Sequence, residues 1–147
     1  ASGVAGMVGG QALDIAAEST DQPLSLAEIE TLQALKTGAL IRWSASAGAH
    51  LAGADPEQLD RYGRALGTAF QIADDILDVE GDEATAGKRL NKDEKAGKAT
   101  FVSLLGLDGA RTRAQEMVAD AIDALSLYSA QADYLREAAR FVISRDK

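Results

Sequence analysis

The stretch Phe70-Gln71-Ile72-Ala73-Asp74-Asp75-Ile76-Leu77-Asp78 sets three aspartates and a glutamine into a short apolar run. On a helix each residue turns about 100° from the last. Gln71, Asp74, Asp75 and Asp78 then share one side, and Ala69, Phe70, Ile72, Ala73, Ile76 and Leu77 cover the other. Asp74 and Asp78 stand one turn apart, where like charges repel by a few tenths of a kcal/mol. The positions four residues on hold Asp78, Val79 and Asp82, so no lysine of the same helix relieves the cluster. A carboxylate face left in this state invites a cation.

Working backwards along the same face, helical spacing reaches Gly67 and Gly63. A merely solvated face is the ordinary outcome for a charge run, but it usually carries Glu and Lys. Glycine weakens a helix by about 1 kcal/mol relative to alanine, so two glycines here point to close approach of something. Aspartate oxygens without His or Cys partners suit a hard cation, and Mg²⁺ takes one or two carboxylates while bridging to substrate phosphates. A calcium loop of the EF-hand type is a poor alternative, because Asp74 to Asp82 lacks the order of alternating Asp/Asn ligands, central glycine and closing Glu. Further on come Lys88, Arg89, Lys92, Lys95 and Lys98. Such a run is ordinarily a solvated loop; beside a metal face, its lysines can serve as the second half of a diphosphate clamp.

The rest of the chain frames this stretch as a series of helices. The 147 residues suit one domain, are 46% hydrophobic and contain only two prolines, a mix that favours helix. A first helix is expected over about Val4 to Ala17. Ser25-Leu26-Ala27-Glu28 reads as a capping box opening a long helix to about Ala52, with a bend near Lys36-Thr37-Gly38. Asp55-Pro56 opens the aspartate-bearing helix, expected to end near Val79. Gly81 to Lys98, with nine charged residues in eighteen, reads as a loop. A short helix follows from Thr100 to Leu105, another begins near Asp108 with Ala110, Ala114, Met117, Ala121, Leu125 and Tyr128 on one face, and the last covers about Ala132 to Ser144. Trp43 and Tyr62 are expected in helix packing and His50 in a structural role near a helix end. The fold class is all-α.

Charge and composition exclude other classes. A net charge of −8 and the lack of a basic stripe argue against nucleic acid. Absent cysteine removes disulfides and thiolate metal sites. No apolar stretch is long enough to span a bilayer and no signal peptide is visible, so membrane insertion is not expected and a cytoplasmic location is the default.

FQIADDILD, followed by GD, GK and GKATF, resembles the second aspartate-rich motif and downstream segment of short-chain isoprenyl diphosphate synthases of the bacterial farnesyl and geranyl type. Gly9-Gly10-Gln11-Ala12-Leu13-Asp14, Lys36-Thr37-Gly38-Ala39-Leu40, Thr100-Phe101-Val102-Ser103-Leu104-Leu105-Gly106 and the tail Ile143-Ser144-Arg145-Asp146-Lys147 agree in order. The resemblance implies the C-terminal half of an isoprenoid synthase helical bundle, with Mg²⁺ as cofactor (Mn²⁺ as a substitute). Asp74, Asp75, Asp78 and Asp93 would serve the metal. Lys36, Lys88 and Lys98 would bind the allylic diphosphate. Thr37 and Gln71 would face the allylic carbons, and Gln11 and Asp14 would line the cavity. The implied reaction joins an allylic diphosphate, dimethylallyl or geranyl, to isopentenyl diphosphate and gives a short-chain prenyl diphosphate such as farnesyl diphosphate. A homodimer is also implied. A terpene cyclase or lyase of the same superfamily is the first alternative, disfavoured by Lys88 and Lys98 in this spacing. A non-catalytic all-α interaction module with a solvated acidic face is the second.

The chain opens Ala1-Ser2-Gly3-Val4 without methionine. It carries no first aspartate-rich motif, no Arg-Arg pair after one, and no N-terminal basic set for isopentenyl diphosphate. The expectation is therefore a single polyprenyl synthetase domain lacking its N-terminal half, inactive alone and with apolar faces left uncovered.

Overall fold

In the computed structural model, residues 1–19, 24–85 and 99–145 are described. Among them every regular element is helical: α1 (Met7–Glu18), α2 (Leu26–Gln33), a π-turn (Ala34–Gly38), α3 (Ala39–Ala52), α4 (Glu57–Thr85), α5 (Phe101–Ala124), a 3₁₀ turn (Ala130–Ala132) and α6 (Asp133–Ser144). No described helix is long and apolar enough to cross a membrane.

The local signals act where sequence places them. The Ser25 hydroxyl accepts from the Glu28 N–H, and the Glu28 carboxylate accepts from the Ser25 N–H at 2.9 Å, closing the expected capping box. The bend expected at Lys36 is the π-turn, a one-turn widening of an otherwise continuous helix from α2 through α3. Gly53 stops α3 in the left-handed region at φ 65°, and the Ala54 N–H returns to the Ala49 carbonyl at 2.9 Å. The Asp55 carboxylate accepts from the Glu57 N–H at 2.9 Å to start α4.

Helix α4 is the central element, packed against α5 on one side and α3 on the other. Tyr62, Ala65, Ala69, Ile72 and Ala73 of α4 meet Ala110, Ala114, Met117, Val118 and Ala121 of α5 in the core. These small residues let the two helix axes come close. The Tyr62 hydroxyl donates to the Leu135 carbonyl at 2.8 Å and ties α4 to α6. Arg136 fastens the end of α5, donating to the Leu125 and Tyr128 carbonyls at 2.7 and 2.6 Å.

Three expectations are corrected. Helix α4 continues past Val79 to Thr85, because a polar helical stretch shows no apolar period and Glu and Ala are good helix formers; Glu80 there meets Arg111 of α5 at 2.5 Å. The remainder of the expected loop, residues 86–98, lies outside the described residues. The short helix expected from Thr100 and the helix expected from near Asp108 are one element kinked at Gly106, whose φ of 71° and ψ of 165° leave the helical region. Trp43 is not buried among the described residues: it is half exposed and stacked on the exposed His50, ring centroids 5.4 Å apart.

Candidate functional site: the π-turn and the aspartate face of α4

Glycine brings the elements of the site together. A Cβ on Gly10 of α1 would lie 2.2 Å from the Lys36 backbone nitrogen, so α1 rests directly on the π-turn. A Cβ on Gly63 would lie 2.6 Å from the Arg42 Cα, and one on Gly67 would lie 3.1 Å from the Gly38 Cα. The close approach that these two glycines signal is thus made by the backbone of α3 and the π-turn, not by a ligand. The glycines seat α4 so that the next turns of its face stand beside Lys36 and Thr37.

Two polar pairs then form across the junction. Asp14 of α1, almost fully buried, receives the Lys36 ammonium at 2.6 Å. The Thr37 hydroxyl donates to Gln71 Oε1 at 3.4 Å, and Gln71 Nε2 donates to Asp75 Oδ1 at 3.0 Å. Gln11 lies on the exposed side of α1. Lys36, Thr37, Asp14 and Gln71 are therefore one constellation, assembled from three elements.

The three aspartates divide their work. Asp75, 8% exposed, turns into the molecule, where its Oδ2 accepts from the Phe101 N–H at 2.8 Å. That N–H opens α5 and has no partner within its own helix, so Asp75 satisfies it at the positive end of the helix dipole. Burial pushes the Asp75 carboxyl above its ordinary range; the Phe101 N–H and the Gln71 amide pull it back, and the charges of Asp78 and Asp74 add to the rise. Asp75 is thus buried with each oxygen accepting a hydrogen bond from the protein, unlike its two outward neighbours. Asp74 and Asp78 point outward, one turn apart, Asp78 exposed and Asp74 half-buried.

Asp74 already carries a cation. The Arg145 guanidinium, from the end of α6, pairs with Asp74 Oδ1 and lies over the Phe70 ring, 4.3 Å from its centroid. The uncompensated cluster of the sequence is thus compensated from 71 residues away. Sequence reasoning missed this partner; the basic tail was its only trace. Behind this pair, a cavity of about 370 Å³ between α4, α5 and α6 is lined by Ala73, Leu77, Glu80, Arg111, Val142 and Arg145. It contains neither Lys36, Thr37 nor Gln71, so the candidate site is an open face rather than this pocket.

No group of three or more acidic, His or Cys side chains is poised around one point among the described residues. The donor chemistry of Asp74 and Asp78 nevertheless fits a hard divalent cation: two oxygen ligands, with a positive charge already drawn to one of them. Lys88, Asp93 and Lys98 lie outside the described residues.

The described residues thus form an all-helical bundle in which the aspartate-bearing helix meets a Lys-Thr π-turn through Gln71. Residues 2–138 match the family model described as polyprenyl synthetase. The chain is 44% identical to the farnesyl diphosphate synthase of Escherichia coli K12 over 154 aligned residues, covering all of this chain and 51% of that protein. Its fold superposes on an FPP/GFPP synthase from Zymomonas mobilis with a TM-score of 0.83 at 47% identity, covering 95% of this chain and 46% of the other. A geranyltransferase from Helicobacter pylori, solved with magnesium and isoprenyl diphosphate, matches at 33% identity with a TM-score of 0.71, covering 97% and 47%. The chain belongs to the polyprenyl synthetase family, and it spans about half the length of these relatives.

Proposed function

We propose that the protein carrying this chain is a Mg²⁺-dependent prenyltransferase that condenses an allylic diphosphate, dimethylallyl or geranyl, with isopentenyl diphosphate, giving farnesyl diphosphate or a product of similar length. The observation that carries the reading is the meeting of Thr37, beside Lys36 on the π-turn, with Gln71 of the aspartate-bearing helix, in a chain of this family.

Asp74 and Asp78 would hold the cation, Mg²⁺ or in its place Mn²⁺; when bound it supplies Lewis-acid neutralisation of a leaving diphosphate. To hold the cation, Asp74 would have to exchange its pairing with Arg145 for it. Asp75 stays in its buried hydrogen bonds and serves the metal through the placement of α4, rather than as a ligand. Lys36, its ammonium steadied by Asp14, meets the diphosphate as a point charge and stabilises the charge that develops as it departs. Thr37 and Gln71 offer oxygen dipoles to the allylic carbons, where positive charge grows. Lys88, Lys98 and Asp93 complete the diphosphate and metal sets from the segment that follows α4.

The protein further comprises an N-terminal half bearing the first aspartate-rich motif and the isopentenyl diphosphate site, assembles as a homodimer, and works in the cytoplasm. Coverage of only half of each relative supports the first of these. So do the exposed Val8, Leu13 and Ile15 of α1 and Leu40, Trp43 and Leu51 of α3, which a facing half would bury. Calorimetric titration of the full-length polypeptide with a non-hydrolysable allylic diphosphate analogue tests the reading. Binding should require Mg²⁺ and weaken about tenfold or more in Asp74→Asn; metal-independent binding would contradict it.

A further inference from the structure

Asp75 is the member of the aspartate run that the proposed chemistry leaves without a direct part. Its geometry is specific. One oxygen is committed to the Phe101 N–H at 2.8 Å, and the other meets the Gln71 side-chain amide at 3.0 Å. A backbone N–H can only donate, and an ionised carboxylate can only accept. Gln71 must therefore turn its NH₂ end towards Asp75. Its two poles lie at opposite ends of one planar group, so this choice fixes the other end as well. The carbonyl oxygen Oε1 is left facing Thr37, whose hydroxyl donates to it at 3.4 Å.

We infer that Asp75 is a positioning residue: it locks the Gln71 amide so that its acceptor pole, and not its donor pole, is presented on the Thr37 side of the site. The inference rests on the proposed reading that Gln71 faces an allylic carbon on which positive charge grows. There an amide oxygen stabilises and an NH₂ destabilises, so an inverted amide opposes the same step that the native one assists. The Phe101 N–H is the fixed point of the arrangement. It belongs to the first residue of α5, and that helix is packed along α4.

The isosteric variant Asp75→Asn separates this role from metal ligation. The substituted side chain must still accept from the Phe101 N–H through its single oxygen, which puts its NH₂ against Gln71. Gln71 then inverts, with no change of volume or helix contact. In the full-length polypeptide, D75N should lower kcat by about a hundredfold, with the KM for the allylic diphosphate unchanged within about threefold. Mn²⁺ affinity, read by electron paramagnetic resonance, should stay within about threefold of wild type, whereas D74N loses about tenfold or more. The double variant Q71E/D75N restores an acceptor on the Thr37 side while its other carboxylate oxygen meets the NH₂ introduced by D75N, so kcat should recover to within about tenfold of wild type. Protection of the Phe101 amide against hydrogen exchange should survive in both variants. Loss of Mn²⁺ affinity in D75N equal to that in D74N would overturn the inference by making Asp75 a ligand. Unchanged kcat in D75N, or failure of Q71E to rescue, would overturn it too. Gln71→Leu isolates the underlying reading: if it turns over at the wild-type rate, Gln71 faces no developing charge, and both fall. A slow Q71L beside a fast D75N removes only the role of Asp75.

Discussion

At Asp74 the competition is between a guanidinium and a divalent cation. Arg145 holds the carboxylate with its own side chain largely buried and stacked on Phe70. Removing it uncovers the site: Arg145→Ala should raise Mn²⁺ affinity roughly threefold, the scale of a partly exposed ion pair. Weaker binding in a Mn²⁺ titration would mean that Arg145 helps to hold Asp74 in a ligating pose. The carboxylate face was legible from residue type and spacing, the site role of the Lys36-Thr37 segment only from the family resemblance. The sequence could not announce which of three adjacent aspartates turns inward. On an ideal helix Asp74 and Asp75 differ by only about 100°, and the decision falls to Phe101, whose N–H lies 26 residues on. Asp14 was legible as part of a motif, but its burial under Lys36 depends on packing between α1 and the π-turn.

Among the elements, the decisive contacts are backbone on backbone. Gly10→Ala would drive a methyl into the Lys36 nitrogen and α-carbon, at 2.2 and 2.6 Å. Since neither helix can yield locally, the substitution should cost about 1–3 kcal/mol in urea unfolding and loosen the Asp14–Lys36 pair. A change below about 0.5 kcal/mol would show that α1 shifts freely on its neighbour. Helices α3 and α4 are also joined by Arg42 and Asp60 at 2.6 Å. The Arg42 guanidinium holds the Asp60 carboxyl below its ordinary value, outweighing the opposing effect of burial, with a Ser46 hydrogen bond assisting. The folded chain therefore gives up this proton more readily than the unfolded one. The pair contributes stability above the unfolded value, about pH 3.9, and loses it as the pH falls through the lower folded value. Thermal melts of wild type should thus converge on those of Asp60→Asn as the pH drops below about 4; parallel curves would exclude the tie. Element type was readable from Ser25 to Val79 and from Thr100 to Leu125, where apolar spacing and caps agree. What escaped was the last part of α4, where charged helix formers carry no apolar period, and the use of Gly63 and Gly67, whose partner is another helix.

Among the described residues as a whole, a buried core is ringed by large apolar side chains left exposed on α1, α3, α5 and α6. Helices α4, α5 and α6 share a core rich in alanine, with Tyr62, Ile72, Phe101 and Leu125 as its largest buried side chains. Val8, Ile15, Trp43 and Leu51 are exposed on α1 and α3, although their spacing in the sequence is that of core positions. A sequence read alone marks such residues as buried, because periodicity reports that a face is meant to be covered and not what covers it. If a facing half carries the remaining metal ligands, residues 1–147 by themselves should bind a hydrophobic dye strongly and turn over no substrate. The most direct test measures incorporation of labelled isopentenyl diphosphate into acid-labile prenyl products, comparing the full-length polypeptide, its Asp74→Asn variant and residues 1–147, all with Mg²⁺. The account predicts turnover by the first, a rate lower by roughly a hundredfold or more in the second, and none in the third. A wild-type rate in Asp74→Asn, or no incorporation by the full-length polypeptide, would contradict it.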